Sequence, residues 1–339
     1  MTQAPQRTAL VVGAAGAFGH AATTALIAHG WRVRALARNP AVAASGPAHV
    51  EGVEWVRGDA LVPAEVIAAA SGVEVLVHAA NPPRYRGWPR LAPAMLESSI
   101  AAAKAAGARF VLPGTVYNFD PADAAVIRED SPQRSSNPKG AIRIAMERRL
   151  QQASDDGLRV LILRAGDFFG PPPSNSWLTH VMAPVAGGRL GKVVYPGDRK
   201  AGRAWAFLPD LGETLARLLD QEPRLGRFER FHFDGHWMSP GVELAEAVRR
   251  VAGDPRLPIR SFPWLVIRAL APFNETFQGM VETSYLWRQP LRLDNTRLVA
   301  FLGSEPHTPL DEAVRASLPG LSPPASRPAR ANLIRTAMA

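Results

Sequence analysis

The sequence has no cysteine and no long apolar run. Without a thiol among its 339 residues, the chain cannot form disulfides, a thiolate nucleophile or a cysteine-ligated metal. Its most apolar late stretch, residues 264–272, contains Arg268 and falls far short of the roughly 20 apolar residues that a membrane-spanning helix needs. The first seven residues are largely polar and lead into an apolar run, so no signal peptide is expected. These features predict a soluble, cytoplasmic protein.

Basic residues are in excess, but they are scattered. Arginine and lysine total 39 against 30 acidic residues, a formal net charge of +9, and no run of five or more basic residues occurs. The basic residues are not interleaved with closely spaced aromatic residues either. Because nucleic-acid-binding proteins concentrate such residues in a patch, the pattern indicates a solvated, arginine-rich surface, and nucleic-acid binding is not expected.

Short apolar runs alternate with alanine-rich stretches up to about residue 166. The predicted strands are Thr8–Val12, Arg32–Ala37, 53–56, 73–78, 109–112 and 158–163. Because strands that alternate with helices form parallel sheets, the pattern predicts an α/β fold with a doubly wound, Rossmann-type parallel sheet. Right-handed crossovers then place the loops after these strands at one edge of the sheet, where such folds hold their ligands.

Three glycines, at 13, 16 and 19, follow the first predicted strand and precede a helical stretch over 21–29. Glycine at the turn permits positive φ, and a second glycine lets main-chain N–H groups approach a pyrophosphate at the helix N-terminus. With a strand before it and a helix after it, the turn predicts a nicotinamide dinucleotide site rather than a turn that glycine merely softens. The predicted contacts in the turn are Gly13, Ala15, Gly16, Ala17, Phe18 and Gly19.

The end of the second predicted strand distinguishes NAD from NADP. An acidic residue there binds the ribose 2′-hydroxyl, whereas arginine accommodates a 2′-phosphate. Residues 20–50 contain no Asp or Glu, while Arg38 directly follows the strand, and Arg32 and Arg34 lie further back on it. The sequence therefore predicts NADP(H) rather than NAD(H), with Arg38 holding the 2′-phosphate.

The alternation breaks after residue 170 into segments rich in proline and glycine. We predict an NAD(P)-binding Rossmann domain over 1–170, which residues 205–235 rejoin through a helix over 210–220 with Asp210 as its N-cap. Residues 171–204 and 236–320 are predicted to form a smaller C-terminal cap lobe that meets the substrate, and 321–339 a flexible tail.

Further motifs accompany the glycine turn. They are Gly-Asp-Ala at 58–60, His-Ala-Ala-Asn-Pro at 78–82, Arg-Ala-Gly-Asp-Phe-Phe-Gly-Pro at 164–171 and Leu-Asp-Asn-Thr-Arg-Leu at 293–298. With them the chain resembles, over about 8–318, the extended short-chain dehydrogenases/reductases, as an atypical member of their NAD(P)-dependent epimerase/dehydratase-like group. The resemblance implies that Asp59 bonds the adenine amino group with Ala60 beside it, and that Ala79 and Ala80 lie along the nicotinamide side of the cofactor.

The catalytic pattern of that family is absent. The resemblance implies a serine or threonine after the fifth strand and a Tyr-x-x-x-Lys pair on the next helix. Alignment on Val116 and Tyr117 puts Pro113 at the hydroxyl position, and alignment over 138–147 puts Lys139 at the tyrosine and Arg143 at the lysine. The only tyrosines, at 85, 117, 195 and 285, are followed four residues later by Pro, Pro, Arg and Gln, so no such pair exists in the chain.

Lys139 and Arg143 are the remaining candidates for the proton chemistry. Arginine can hold a ribose but is no ordinary proton donor, since its pKa exceeds about 12. Asn137 and Pro138 suit a helix start, so Lys139 and Arg143 would share one helical face, where their repulsion would lower the lysine pKa. The alternative is that both are solvated cations on an exposed face.

Tyr117, Thr115 and Asp167 are weaker catalytic candidates, each with a structural alternative. Thr115 could satisfy its turn, Tyr117 could pack under the cap, and Asp167 could order its own loop. His232 and His236 are four residues apart, but the residues between them predict a turn rather than the helix that paired metal ligands need. No metal site is therefore expected.

Two functions from different classes remain open. One is an NADP(H)-dependent oxidoreductase or epimerase-type enzyme that acts on a small carbonyl or hydroxyl compound through a non-standard site. The other is a non-catalytic NADP(H)-binding protein that senses redox state or binds a partner. Arg199, Lys200 and Arg203 in the cap could meet an acidic or sugar-like substrate. A small-molecule substrate is the expected partner and a homodimer is left open, whereas no membrane partner is expected.

Overall fold

The structure, a computed structural model, describes residues 6–47, 49–82, 87–172 and 176–321. The predicted tail lies outside the described residues apart from Leu321, and so does Tyr85. The described strands are β1 (Thr8–Val12), β2 (Arg32–Ala37), β3 (Val53–Arg57), β4 (Val75–His78), β5 (Arg109–Gly114), β6 (Val126–Ile127), β7 (Val160–Arg164), β8 (Asp167–Phe169), β9 (Val193–Tyr195), β10 (Arg203–Phe207), β11 (Phe228–His232), β12 (His236–Met238), β13 (Ile259–Ser261) and β14 (Arg292–Leu293).

Helices fill most of the intervals between the strands. They are α1 (Ala17–Ala28), α2 (Pro40–Ser45), α3 (Pro63–Ala69), α4 (Trp88–Ala106), α5 (Pro138–Asp155), α6 (Leu208–Asp220), α7 (Glu243–Ala252), α8 (Trp264–Leu270), α9 (Glu275–Glu282), α10 (Thr296–Leu302) and α11 (Leu310–Ser317). Short 3-10 turns lie at Val116–Asn118, Glu222–Arg224, Ala271–Phe273 and Ser284–Trp287, and a π-helical turn lies at Leu178–Met182.

The large sheet has seven strands in the order β11-β7-β5-β4-β1-β2-β3, and every neighbouring pair is parallel. The chain runs from β1 outward to β3 on one side and then returns to β4 on the other side of β1. Doubly wound sheets hold their ligands at such a switch point, beyond the carboxyl ends of the strands. The predicted fold class and all six predicted strands are confirmed, with ends that shift by at most two residues.

The seventh strand, β11, was not predicted from the sequence. Its residues, Phe-Glu-Arg-Phe-His, lack the aliphatic run that marks the central strands. Such a composition is compatible with its position at the edge of the sheet, where it pairs with β7. Three of its five residues are only partly buried, whereas all five residues of β7 are buried. An edge strand of this composition carries little sequence signal of its own.

The prediction that Asp210 caps a helix is wrong. Helix α6 begins two residues earlier, at Leu208, because Pro209 fits the first helical turn, where its missing N–H is not needed. Asp210 instead lies inside that turn, and its carboxylate accepts hydrogen bonds from the backbone N–H and the hydroxyl of Thr308, both at 2.7 Å. This residue therefore ties α6 to the segment before α11.

Helices cover both faces of the large sheet. One core lies between the sheet and α1 and α6, and contains residues such as Leu26 and Leu215. A second core lies between the opposite face and α3, α4 and α5, and contains Leu96 and Leu150. A third cluster, which contains Trp205, joins β8, β10 and β12 to α7 and α11. The division into a cofactor domain and a cap lobe stays a prediction.

The packing of α1 against α6 depends on a glycine. Gly212 of α6 lies so close to α1 that a Cβ built there would come within 2.6 Å of the Ala21 carbonyl oxygen. Real Cβ atoms do not approach a backbone oxygen so closely, so any side chain at 212 would force the helices apart.

Among the described helices, none is long and apolar enough to cross a membrane.

We expect Gly212→Ala to lower the free energy of unfolding by about 1–3 kcal/mol, the usual cost of overpacking a core, despite alanine's higher helix propensity. Urea unfolding followed by circular dichroism measures the change. Gly191→Ala is the control, since no atom lies within 4 Å of a Cβ built there. Equal stability of the two variants would show that the α1–α6 contact tolerates a side chain.

Candidate active site

The glycine turn after β1 is closed on one side by the segment after β4. Gly13 has φ of +94°, and a Cβ there would come within 2.6 Å of the Ala79 carbonyl carbon and the Ala80 nitrogen. A Cβ on Gly19 would collide with the Gly13 carbonyl oxygen. The structure thus brings the turn together with Ala79 and Ala80, two of the residues assigned to the cofactor from the resemblance.

The N-terminus of α1 is open to a ligand. Gly16 is the N-cap, no side chain caps the helix, and its first turn has no acidic residue. Ala15 and Gly16 are exposed and Ala17 is half-buried, whereas the Phe18 ring is buried and stacks on Phe168 at 6.2 Å between centroids. Because the first amide groups of a helix lack intrahelical acceptors and carry the positive end of its dipole, this end favours an anion.

Arg38 follows directly after β2, the strand next to β1. Its side chain is exposed and forms no hydrogen bond or ion pair with a described residue. Arg32 pairs with Glu54 at 2.7 Å, and Arg34 donates to the Ser71 carbonyl at 2.6 Å, so both are already engaged elsewhere. Of the arginines in and just after β2, Arg38 is the one left to meet a charge at the carboxyl edge of the sheet.

Asp59 and Ala60 follow β3, on the far side of β2. The Asp59 carboxylate accepts from the backbone N–H of Leu61 at 2.9 Å, while its own N–H donates to Glu65 at 2.7 Å. The carboxylate is therefore fixed in orientation by its turn, with its second oxygen left for another donor. Both residues are half-buried at the edge of the sheet that carries the glycine turn.

Lys139 is buried at the start of α5 and faces α9. Asn137 caps the helix by accepting the Lys139 backbone N–H at 2.8 Å. The Lys139 ammonium donates to the Gly279 carbonyl at 2.9 Å and lies 3.4 Å from the Glu282 carboxylate. Burial lowers the pKa of Lys139 and outweighs the raising effect of Glu282. The lowered pKa agrees with the sequence-based prediction, but its largest cause is burial, whereas the prediction attributed it to repulsion by Arg143.

Arg143 lies one turn further along α5, over a different neighbour. Its guanidinium sits 5.5 Å above the Trp88 ring, and the Trp88 indole donates to the Asn81 side chain at 2.7 Å. Burial, with a smaller contribution from the Arg143 charge, lowers the pKa of His78 to about 3. Arg143 is half-buried and Lys139 is 7% exposed, so the alternative of two solvated cations is wrong.

The segment after β5 has no free hydroxyl at the position that the resemblance assigns to one. Pro113 lies inside β5, opposite Leu163 of β7. The Thr115 hydroxyl donates to the Asn118 side chain at 3.3 Å, and Tyr117 packs against an apolar cluster that includes Leu286. Thr115 thus satisfies its own turn and Tyr117 is packed against apolar side chains, as their structural alternatives proposed. Asp167 forms an ion pair with Arg203 across the two adjoining strands.

A buried polar network, which the sequence analysis missed, lies below this edge. Arg164 and Glu147, 1% and 2% exposed, pair at 2.7 Å, and Arg164 also donates to the Thr115 carbonyl at 2.6 Å. Asn118 donates to Glu147 at 2.9 Å, and the Arg164 Nε donates to His232 Nε2 at 3.3 Å. A charged residue directly after the apolar run of β7 was the available signal.

Burial keeps both histidines that the sequence places four residues apart in the neutral form. His232 Nδ1 donates to the Ile127 carbonyl at 3.2 Å, and burial followed by the Arg164 charge lowers its pKa to about 3, so His232 is neutral. The His236 ring lies 4.4 Å from His307, and burial followed by that neighbour lowers its pKa to about 4. Within the described part of the chain, no group of three or more potential ligands could hold a metal ion.

Comparisons with known proteins agree with this architecture. A model of the NAD dependent epimerase/dehydratase family matches residues 9–231. A UDP-glucose 4-epimerase superposes with a TM-score of 0.72 at 18% identity, covering 92% of this chain and 96% of its own. The Bifidobacterium longum UDP-glucose 4-epimerase, solved with NAD+ and UDP, gives 0.71 at 16% identity, with 93% and 97% covered. The Bacillus cereus UDP-N-acetylglucosamine 4-epimerase gives 0.70 at 15%, with 91% and 94% covered. No curated protein sequence matches significantly.

The Arg164–Glu147 pair makes a testable contribution to stability. Burial raises the pKa of Glu147, but the Arg164 charge and the hydrogen bonds from Arg164 and Gln133 lower it further, so the net shift is downward. Its stabilisation is therefore complete above the unfolded pKa of about 4.5 and is lost as pH falls through the lower, folded value.

We expect Glu147→Gln to lower the free energy of unfolding at neutral pH by about 3–5 kcal/mol, because Arg164 keeps a buried, unpaired charge. The difference from the wild type should shrink as pH falls below about 4.5. Denaturant unfolding across pH measures both. The control is Glu97→Gln. Glu97 pairs with Arg149 at 2.8 Å, but both side chains are partly exposed, so the free energy of unfolding should change by less than about 1 kcal/mol. A constant difference at all pH values would contradict the assignment.

Proposed function

Because the chain belongs to the NAD dependent epimerase/dehydratase family, we propose that it binds a nicotinamide dinucleotide, NADP(H) in preference to NAD(H), as an atypical oxidoreductase or epimerase-type enzyme. Its substrate class is a small carbonyl or hydroxyl compound. The observation that carries the cofactor preference is the exposed Arg38 without a described partner, directly after β2.

The described residues fit a dinucleotide. Glycine at 13 and 19 lets the turn pack closely against the backbone of Ala79 and Ala80 and against the start of α1, and the uncapped N-terminus of α1 offers amide groups to a diphosphate. Ala79 and Ala80 border the same turn, and the family resemblance assigns them to the nicotinamide side. Asp59 has a carboxylate oxygen for the adenine amino group, as the family resemblance implies.

Arg38 supports NADP(H) through charge. A guanidinium offers several N–H donors to a phosphate, and an arginine at this point of the sheet meets the ribose 2′ position. No acidic residue occurs within 20–50 to bind a 2′-hydroxyl instead. The solved neighbour from Bifidobacterium longum holds NAD+, so the preference proposed here depends on residues of this chain and not on that likeness.

The proton chemistry of the proposed enzyme belongs to Lys139. A bound nicotinamide would supply the hydride acceptor or donor. We assign the proton to the Lys139 ammonium because the family resemblance aligns it with the catalytic tyrosine and because burial lowers the pKa of this amine. Arg143 keeps its positive charge throughout and, beside Trp88 and Asn81, takes the positioning role that a lysine has in the family.

A specific observation favours the second function, a non-catalytic NADP(H)-binding protein. The Lys139 ammonium contacts the Gly279 carbonyl and the Glu282 carboxylate, which are contacts that would also suit a residue whose role is to hold α9 in place. Pro113 cannot replace the missing hydroxyl. In this alternative the dinucleotide is a sensed or structural ligand, and cofactor binding occurs without turnover.

The cofactor preference is tested by Arg38→Leu. We expect NADPH affinity to fall by about 10- to 100-fold, the effect of losing about 1.5–3 kcal/mol of charge-assisted hydrogen bonding, while NADH affinity stays unchanged. Calorimetric titration measures both. Arg32→Leu, whose side chain pairs with Glu54, serves as the control and should change neither affinity. Equal loss of both affinities in Arg38→Leu would refute the 2′-phosphate contact.

The catalytic role of Lys139 is tested by Lys139→Met. For the enzyme, we expect turnover of small carbonyl compounds with NADPH to fall by about 100- to 10,000-fold, with NADPH affinity nearly unchanged. Absorbance of the reduced nicotinamide follows the reaction. A wild type that binds NADPH but turns over none of the nucleotide sugars, ketones and aldehydes tested would instead establish the non-catalytic function.

Glu282→Gln is the companion variant, because it keeps the amine of Lys139. Glu282 raises the lysine pKa, so its removal should shift the alkaline limb of the turnover profile to lower pH. A structural role of Lys139 would change thermal stability in both variants but would move no limb of the pH profile.

A further inference from the structure

An exposed apolar surface lies on α8 and the 3-10 turn that follows it. Leu265, Val266, Leu270 and Phe273 are 83%, 55%, 44% and 88% exposed, and we call these four side chains the α8 surface. The last three are spaced four and three residues apart, which places them along one side of a helical segment. Single exposed apolar residues are ordinary, but a cluster of large ones marks a site of interaction.

The opposite side of α8 is anchored to the protein. Ile267 is buried, and the Trp264 indole donates to the Pro196 carbonyl at 2.6 Å. Trp264 also contacts Phe262, with 4.9 Å between ring centroids, and Trp177 at 6.2 Å. The helix is therefore held in place while its apolar surface faces outward.

Arginines lie before, within and after the α8 surface along the chain. Arg260, Arg268 and Arg288 are exposed, and none forms an ion pair with a described residue. The stretch 256–290 contains only two acidic residues, Glu275 and Glu282, of which Glu282 pairs with Lys139. Arg268 and Arg288 line a cleft beside Trp264, and Asp198 in that cleft pairs with neither. The stretch of chain that contains the surface therefore carries four arginines against two acidic residues.

We propose that the α8 surface docks on the headgroup region of an anionic lipid bilayer. Its apolar side chains would enter the boundary between headgroups and acyl chains, and the arginines would contact lipid phosphates. The sequence predicted no membrane partner because no segment can span a bilayer, and docking on the surface needs no spanning segment.

Charge separates this partner from the other candidates. A second copy docked through the same surface would bring the unpaired arginines of both chains together, which is unfavourable without acidic partners. The segment 322–339 carries three arginines and no acidic residue, so it offers the surface no complementary charge either. An anionic lipid surface supplies both the apolar interior and the negative charge.

Sedimentation with lipid vesicles tests the proposal without cofactor or substrate. We expect the wild type to sediment with vesicles of equimolar phosphatidylcholine and phosphatidylglycerol but not with phosphatidylcholine alone. Leu265→Glu/Phe273→Glu should abolish sedimentation. Val42→Glu is the matched control, because Val42 is a 64% exposed apolar residue on α2, outside the α8 surface. This variant should bind vesicles as the wild type does.

The arginines are tested separately, which also covers failure of the double glutamate variant to fold. Arg260→Gln and Arg268→Gln should each weaken vesicle binding by about fivefold, the effect expected for one basic residue at an anionic surface, whereas Arg148→Gln on α5 should not. High salt should release the wild type.

Three outcomes would overturn the proposal. The first is a wild type that does not sediment with anionic vesicles. The second is a dimer in light scattering that Leu265→Glu/Phe273→Glu dissociates while vesicles bind neither protein, which would assign the surface to a second copy. The third is vesicle binding that survives this double change but is lost when the chain ends at Leu321, which would assign it to the C-terminal segment.

Discussion

The close approach of α1 to the turn after β1 is the contact on which the site depends. Glycine at 13 and 19 lets the helix begin directly over the end of the strand, and glycine at 212 lets α6 hold α1 there from outside. The result is a helix N-terminus with no capping side chain, aimed at the carboxyl edge of the sheet where the chain reverses direction. Every proposed cofactor contact is positioned relative to this edge.

The same edge separates the proposed cofactor contacts from the proposed site of proton transfer. The strands and turns that would bind a dinucleotide are present, whereas the resemblance to the family aligns its proton-transfer positions with Pro113, Lys139 and Arg143. Below them, the buried Arg164–Glu147 pair occupies the polar interior between β5, β7 and β11. The hydrogen bonds described for this network come from Thr115, Asn118 and His232, so a substitution at Lys139 leaves them in place.

Local patterns predicted the fold well and the surroundings of the candidate site poorly. The glycine spacing, the strand sequences and the position of Arg38 are encoded within short segments, and the family resemblance that they suggested is confirmed by the family match over 9–231. The contacts of Lys139 come from Gly279, 140 residues away, and those of Asp210 from Thr308, so no periodicity near either residue could reveal them. The edge strand β11 lacked an aliphatic signal.

The account depends most on the claim that the glycine turn holds a diphosphate while Arg38 meets a phosphate on the adenosine ribose. Calorimetric titration of the intact chain with ADP-ribose and with 2′-phospho-ADP-ribose tests that claim alone, since neither ligand carries nicotinamide. The account predicts saturable heat from both, with the 2′-phosphorylated ligand bound at least about tenfold more tightly. Absence of heat from both ligands, or tighter binding of ADP-ribose, would contradict it.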